Sequence, residues 1–207
     1  MNEIVAVIMI GGQSRRMGGG IKSFIEFNNK SIFDKILERV QPQNKKIIIN
    51  CNTERDKLLK YNLPIIKDLK NNFLGPLAGI HSAMYWVSQN EPSAKWLVTL
   101  PGDTPFIPKD LFFNFKKKIT SKSKIILAKS NNQIHPIIGA WNISLLSNLD
   151  FEIENGTRRI MSWAKNHLIE YIDYQTKDYD PFFNINTKED IKIATLIENN
   201  FFRRKNE

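Results

Sequence analysis

A chain of 207 residues is long enough to bury one substantial core, and its apolar content is ordinary for a globular protein. No stretch approaches the ~18 consecutive apolar residues of a membrane-crossing helix, and a single cysteine, Cys51, excludes an internal disulfide and fits a reducing cytoplasm. The formal charge of +9 admits nucleic acid or small polyphosphates as partners, yet no zinc-finger spacing, basic helix with interleaved aromatics or other nucleic-acid motif accompanies it.

Along the chain, β-rich apolar runs alternate with helical patterns. Residues 4–10 read as a buried strand and not as a signal peptide, since no basic leader precedes them and no small-residue cleavage site follows. Ser31-Ile32-Phe33-Asp34 has capping-box form and opens a helix whose Ile32, Phe33, Ile36, Leu37 and Val40 share one face. A second strand is expected over residues 46–51, a polar helix over 53–61 and a short third strand over 63–67. After Gly75-Pro76, the spacing of Leu77, Ile80, Met84 and Val87 predicts a helix. Residues 96–100 form a fourth strand, stopped by Pro101-Gly102. Pro108 suits the first turn of a helix over 109–118. Strands are expected over 124–128 and 134–141, and helices over 143–149 and 157–166. A second capping box, Thr187-Lys188-Glu189-Asp190, leads a C-terminal helix with Ile193, Leu196 and Ile197 inward. Strands separated by helices of this length predict an α/β fold: a three-layer α/β/α open, mostly parallel sheet. A single domain over residues 1–202 and a polar, frayed tail over 203–207 complete the expected organisation.

The most informative stretch is Gly11-Gly12-Gln13-Ser14-Arg15-Arg16-Met17-Gly18-Gly19-Gly20-Ile21-Lys22. Glycines let backbone amides approach phosphate oxygens, and Arg15, Arg16 and Lys22 add charge to the same turn. The dinucleotide fingerprint is excluded because the second glycine is adjacent to the first, and the P-loop because Ile21 stands where a glycine should precede the Lys-Ser pair. Taken by its composition, the turn could also be an ordinary surface loop. Its order, with Gly11-Gly12, Ser14, Arg16-Met17-Gly18 and then Lys22, resembles the signature loop of sugar-nucleotide and cofactor nucleotidyltransferases. That likeness implies a loop wrapped around a nucleotide and a lysine on its phosphates.

A second signal is Leu100-Pro101-Gly102-Asp103-Thr104-Pro105, directly after an apolar strand. Ligands of open α/β sheets bind beyond the carboxyl ends of the strands, and a carboxylate there suits a hard cation such as Mg²⁺. Asp103 is the candidate metal ligand, with a turn-forming Asp as the plain alternative. Asp68 ends the third strand on the same edge, and Gly75 would allow a ligand to come close.

Together these motifs resemble the molybdenum cofactor guanylyltransferase family nearly end to end. The likeness takes in the Gly11-Gly12 loop with Arg16-Met17-Gly18-Gly19, Lys22, Asn50-Cys51-Asn52, Asp68 and Gly75-Pro76-Leu77-Ala78-Gly79. It continues through Pro101-Gly102-Asp103-Thr104-Pro105, His135-Pro136, Arg158-Arg159-Ile160-Met161 and Phe183-Asn184-Ile185-Asn186-Thr187. The resemblance implies a Rossmann-like nucleotidyltransferase fold and a Mg²⁺-dependent transfer of GMP from GTP to the terminal phosphate of Mo-molybdopterin. Proteins that donate and receive the cofactor are implied as further partners, with neither nucleic acid nor membrane among them. By the same resemblance Met9, Ile10, Gly11 and Gly12 line the guanine side. Lys22, Asn50, Asp68 and Asp103 bind GTP or its metal, Gly75 joins the binding set, and Arg158, Asn184 and Asn186 face the pterin. Lys22, Asp103 and Arg16 form the implied catalytic group. The chain departs from the family at Ile21, where an acidic residue is usual, and at Met9-Ile10, where Leu-Ala is frequent. His81 and His167 fall in or at the end of helical patterns and read as packing or surface residues, while His135 resembles a position near the pterin pocket. The rival readings are a cytidylyl- or sugar-phosphate nucleotidyltransferase of the same fold and a non-catalytic carrier of the molybdenum cofactor.

Overall fold

The structure, a computed structural model, describes residues 3–11, 21–70, 75–176 and 178–203. Strand β1 (Glu3–Ile10) is buried from Ile4 onward. Its side chains alternate between two cores, Ile4, Ala6, Ile8 and Ile10 entering one and Val5, Val7 and Met9 the other. A strand covered on both faces has no polar face to show, hence its unbroken apolar run. A two-rung hairpin follows, β2 (Glu26–Phe27) and β3 (Lys30–Ser31), turning through Asn28 and Asn29 at φ 50° and 62°. Asparagine tolerates this left-handed backbone better than most residues.

Helix α1 (Ile32–Val40) starts with its capping box in place: the Ser31 hydroxyl accepts from the Asp34 N–H, and Asp34 reaches back to the Ser31 N–H. The chain continues through β4 (Ile47–Cys51), a 3₁₀ helix over Arg55–Tyr61, β5 (Ile65–Ile66), α2 (Pro76–Asn90), β6 (Ala94–Pro101) and α3 (Leu111–Lys118). The hairpin β7 (Ile125–Ser130) and β8 (Gln133–Asn142) comes next, then α4 (Leu146–Glu154), α5 (Ile160–Ala164), β9 (Ile169–Tyr174) and α6 (Lys188–Glu198).

Seven strands make one sheet in the order β5-β4-β1-β6-β8-β7-β9, parallel throughout except for β8, which runs against both neighbours. One core lies between the sheet and helices α1, α3 and α6, the other between the sheet and α2, α4 and α5. This is the expected three-layer α/β/α arrangement. From β1 the chain leaves through α1 to β4 on one side, while β6 pairs on the other after α2 has crossed the opposite face. Such a reversal opens a crevice at the carboxyl end of the central strand, here at Ile10.

Several expected elements are redrawn. The polar helix expected over 53–61 is a 3₁₀ helix, bracketed by Glu54 and Asn62 at φ 50° and 52°. The helix expected over 157–166 shrinks to α5, because Arg159 is still extended (φ −94°, ψ 131°). Strand β9 was not anticipated; it alternates half-buried and more exposed residues at the edge of the sheet. On α6 the expected inward face holds at Ile197 and fails at Ile193 and Leu196. Ala194 is buried and Ile191 and Ile197 pack on the core, whereas Ile193 and Leu196 are 44% and 61% exposed. The core side of the helix also carries Glu198, whose carboxylate accepts from buried Lys35 at 2.9 Å to each oxygen and from Asn28 at 3.0 Å and ties α6 to the rest of the chain. The tail beyond residue 203 lies outside the described residues. Among the described residues no helix is long and apolar enough to cross a membrane.

Candidate active site

Three parallel strands end on one level. Met9 of β1 is paired with Asn50 of β4 and with Pro101 of β6, so whatever follows each strand emerges at the same edge. The Gly102 N–H donates to the Met9 carbonyl at 2.9 Å and draws the turn after β6 against β1. A side chain could not be accommodated there, since a Cβ on Gly102 would lie 2.6 Å from Ser23 Oγ and 3.0 Å from the Met9 carbonyl oxygen. Asp103 follows directly and is therefore held beside the end of β1.

Lys22 reaches the same place from the other side of the glycine-rich turn. It opens a 3₁₀ turn, Lys22–Phe24, closed by the Phe24 N–H donating to the Ile21 carbonyl at 3.1 Å. Ile21 is buried in the core with α1. An apolar residue therefore fits at this position, and its burial anchors the backbone from which Lys22 projects. The Lys22 ammonium is 3.9 Å from Asp103 Oδ2 and donates to Asn186 Oδ1. The Ile185 N–H donates to the Asp103 carbonyl at 2.9 Å, tying residues 184–186 to the turn.

Burial pushes the Asp103 carboxyl above the ordinary carboxylate value, opposed by the Lys22 ammonium and by the Asn184 amide. Its Oδ1 is buried with no hydrogen-bond partner among the described residues. An unsatisfied carboxylate oxygen costs about 1–3 kcal/mol or more, so it marks a place that calls for a cation or a donor beyond those the described residues supply.

A second cluster forms around Asp68. Its carboxylate accepts from Asn50 Nδ2 at 3.0 Å and from Asn52 Nδ2 at 2.8 Å, while its own N–H donates to Asn52 Oδ1 at 2.8 Å. Asn50 is thereby fixed with its carbonyl oxygen toward α2. Helix α2 comes so close that a Cβ on Gly79 would meet Met9 Cε at 2.6 Å and Asn50 Oδ1 at 2.7 Å. The α2 N-terminus has Pro76 in its first turn and no side-chain cap among the described residues, leaving positive dipole density at this same edge. Gly75, just before it, faces the Arg158 carbonyl at a distance that a Cβ would fill at 3.8 Å. The Arg158 guanidinium itself donates to the carbonyls of Ile153 and Thr157 at 2.7 and 3.0 Å, closing the end of α4.

Of the residues singled out in the sequence, Lys22, Asp103, Asn184 and Asn186 thus form one group and Met9, Asn50 and Asp68 a neighbouring one, joined through the end of β1. Gly75 meets Arg158 beside them. Ile10 and Gly11 end β1 at this edge; Gly12 and Arg16 lie outside the described residues. Sequence reasoning missed Gly79 and Gly102 as close-approach positions and Asn52 as a partner of Asp68. The paired asparagines flanking Cys51 were the available signal for the last. Among the described residues no three Asp, Glu, His or Cys side chains gather into a metal cluster. His81 lies in α2 with its Nε2 3.0 Å from Asp150, and His167 pairs with Asn148 at 2.9 Å, in keeping with packing roles.

The family model of the MobA-like NTP transferase domain matches residues 6–169, which hold the second half of β1, Lys22, Asn50, Asp68 and Asp103. The chain belongs to the MobA-like NTP transferase family. It is therefore a nucleotidyltransferase. A molybdenum cofactor guanylyltransferase of Nitrobacter hamburgensis is 34% identical over 91% of this chain and 91% of its own. The crystal structure of molybdopterin-guanine dinucleotide biosynthesis protein A from Archaeoglobus fulgidus superposes with a TM-score of 0.77 at 25% identity, covering 96% of this chain and 100% of that one. The 4-diphosphocytidyl-2C-methyl-D-erythritol synthase of Anaerococcus prevotii shares the fold at 14% identity and a TM-score of 0.73, over 96% of each chain. Asn184 and Asn186 lie beyond the stretch matched by the family model, so the second half of the Lys22 cluster comes from outside it.

Proposed function

We propose that this MobA-like enzyme transfers GMP from GTP to the terminal phosphate of Mo-molybdopterin, forming molybdopterin guanine dinucleotide and releasing pyrophosphate. The observation that carries the reading is the convergence of Lys22 and Asp103, 3.9 Å apart at the end of the central strand. The names of the similar proteins support the guanylyl and molybdopterin parts of the reading.

The attacking phosphate monoester has a second pKa of about 6 and is already ionised near neutrality. A general base is not required, and none is needed among the three histidines. The barrier is the approach of two anions. Lys22 would hold negative charge on the triphosphate, Asn186 keeps its ammonium in place, and the α2 N-terminus adds positive potential. Asn50, locked by Asp68, would present a fixed amide to the nucleotide. Asp103 Oδ1, buried and without a partner among the described residues, fits a hard cation, and a site with few carboxylates among those residues suits Mg²⁺, which keeps water and substrate phosphates as its other ligands. When bound, Mg²⁺ would supply positive charge against the polyphosphate. Arg158, Asn184 and Asn186 are assigned to the pterin side. A cytoplasmic setting accords with the free thiol of Cys51, buried and bonded to the Thr53 carbonyl at 2.8 Å.

Incubation with GTP, Mg²⁺ and Mo-molybdopterin followed by mass analysis of the pterin tests the reading. The expected product has gained one GMP, with one pyrophosphate released per product. Calorimetry with GTP, CTP and UTP distinguishes the cytidylyl alternative, and preferential binding of CTP would overturn the guanylyl assignment. Nucleotide binding without any pterin product would favour a carrier.

A further inference from the structure

Behind the strand-end cluster lies a buried polar chain that none of the steps above uses. Ser130, the last residue of β7, is fully buried. Its hydroxyl donates to Asp180 Oδ1 at 2.8 Å and lies 2.6 Å from His135 Nε2. A hydroxyl has one proton to give, so with that proton on Asp180 the imidazole must be the donor to Ser130. The order is His135 Nε2–H to Ser130 Oγ–H to the Asp180 carboxylate, in which each bond polarises the next. Ser130 sits in the middle with its proton committed to a carboxylate, an arrangement unsuited to a nucleophile.

The backbone is shaped to bring His135 here. The β7–β8 register jumps from Leu127 opposite Gly139 to Ala128 opposite His135, so residues 136–138 bulge out of the ladder. Pro136, which has no N–H to offer, falls within that bulge, and the Thr99 hydroxyl satisfies the freed Ile137 carbonyl at 2.5 Å. The imidazole then packs on Phe182, ring centroids 4.9 Å apart.

At the far end of the chain, Asp180 begins the segment that crosses to the active site. Its Oδ1 also accepts from the Phe182 N–H at 2.9 Å, and its carbonyl accepts from the Phe183 N–H at 3.1 Å. Two residues on, the Ile185 N–H donates to the Asp103 carbonyl and Asn186 accepts from Lys22. The α6 cap holds the other end, Asp190 Oδ2 accepting from the N–H groups of Asn186 and Thr187, both at 2.8 Å. Between Ser130 and α6 the segment has little freedom left.

We propose that Ser130, His135 and Asp180 are positioning residues whose hydrogen-bonded chain sets where residues 184–186 sit against Lys22 and Asp103. The effect on transfer rests on the GMP-transfer reading; the effect on the position of the segment does not. The test uses the full chain as wild type, His135→Phe, His135→Gln and Ser130→Ala. Phenylalanine keeps a ring on Phe182 and removes the donor, glutamine restores an N–H, and alanine removes one oxygen. In His135→Phe and Ser130→Ala the Ile185 amide is expected to exchange its hydrogen about tenfold faster or more, with β1 amides unchanged. In the same two variants kcat for GMP transfer should fall by about tenfold or more while the KM for GTP moves less, and His135→Gln should recover both readouts to within about threefold. Wild-type exchange at Ile185 in folded His135→Phe and Ser130→Ala would overturn the proposal, as would faster exchange with kcat unchanged. Should His135→Phe fail to fold, Ser130→Ala decides on the same readouts. A wild-type protein that makes no GMP product sinks the functional reading alone, since Ile185 exchange still reports on the chain of hydrogen bonds.

Discussion

Asp103 is held against its own chemistry. Burial raises its pKa in the folded chain above the value of 3.8 that applies when it is exposed. Between those two values the folded state binds the proton more tightly than the unfolded state does, so stability falls as pH rises through this window, and the penalty is complete above it. Asp103→Asn removes the penalty. The variant should lose pyrophosphate release in a coupled phosphate assay while melting higher at pH 7, by on the order of 2–4 °C if about 1 kcal/mol is recovered. Its advantage should fade as the pH is lowered toward 3.8. An Asn variant with full turnover would refute a metal or phosphate role for this carboxylate.

At the level of elements, the close contact of α2 with β1 and β4 is testable at Gly79. Alanine is the better helix former by about 1 kcal/mol, yet its Cβ would press on Met9 and on an Asn50 carbonyl that Asp68 keeps from moving. Gly79→Ala should therefore weaken GTP binding by about tenfold in calorimetry, with a melting temperature that does not rise as propensity alone would require. Glu198→Ala should strip buried Lys35 of its counter-ion and lower unfolding free energy in urea by about 2–4 kcal/mol, while leaving nucleotide affinity within about twofold. Much of this architecture was legible beforehand. The run of residues 4–10 could only be a two-sided strand, and Ser31 with Asp34, like Thr187 with Asp190, marked helix starts at the positions observed. Local patterns carried less where a distant contact decides. Leu196 has the spacing of a core residue, but it lies on the solvent side of α6, and β9, a half-exposed edge strand with Glu170 and Asp173 among its Ile and Tyr residues, is missed although its pattern fits a strand. The same limit applies to the site. Lys22 and Asp103 could be picked out from their own neighbours in sequence, whereas the roles of Asn52 and Ser130 exist only through partners 16 and 50 residues away.

Taken whole, the molecule carries +9 and gathers Lys22 and the N-terminus of α2 at one edge of the sheet. Attraction of a triphosphate should weaken with salt, but only through screening, by about tenfold or less between 0.05 and 0.5 M. An RNA-binding surface would behave differently, losing roughly a thousandfold or more over a far narrower range as counterions are released. Filter binding with RNA at two salt concentrations is expected to show no such collapse; finding one would reopen the question of what the excess of lysine serves. The bond from Lys22 to Asn186 spans 164 positions. The lysine is therefore synthesised well before the asparagine, and the amide that steadies its ammonium follows only after every described strand of the sheet has been made. A chain truncated between Tyr174 and Asn184 would keep every described strand of the sheet and would lack the Asn186 amide that accepts from Lys22.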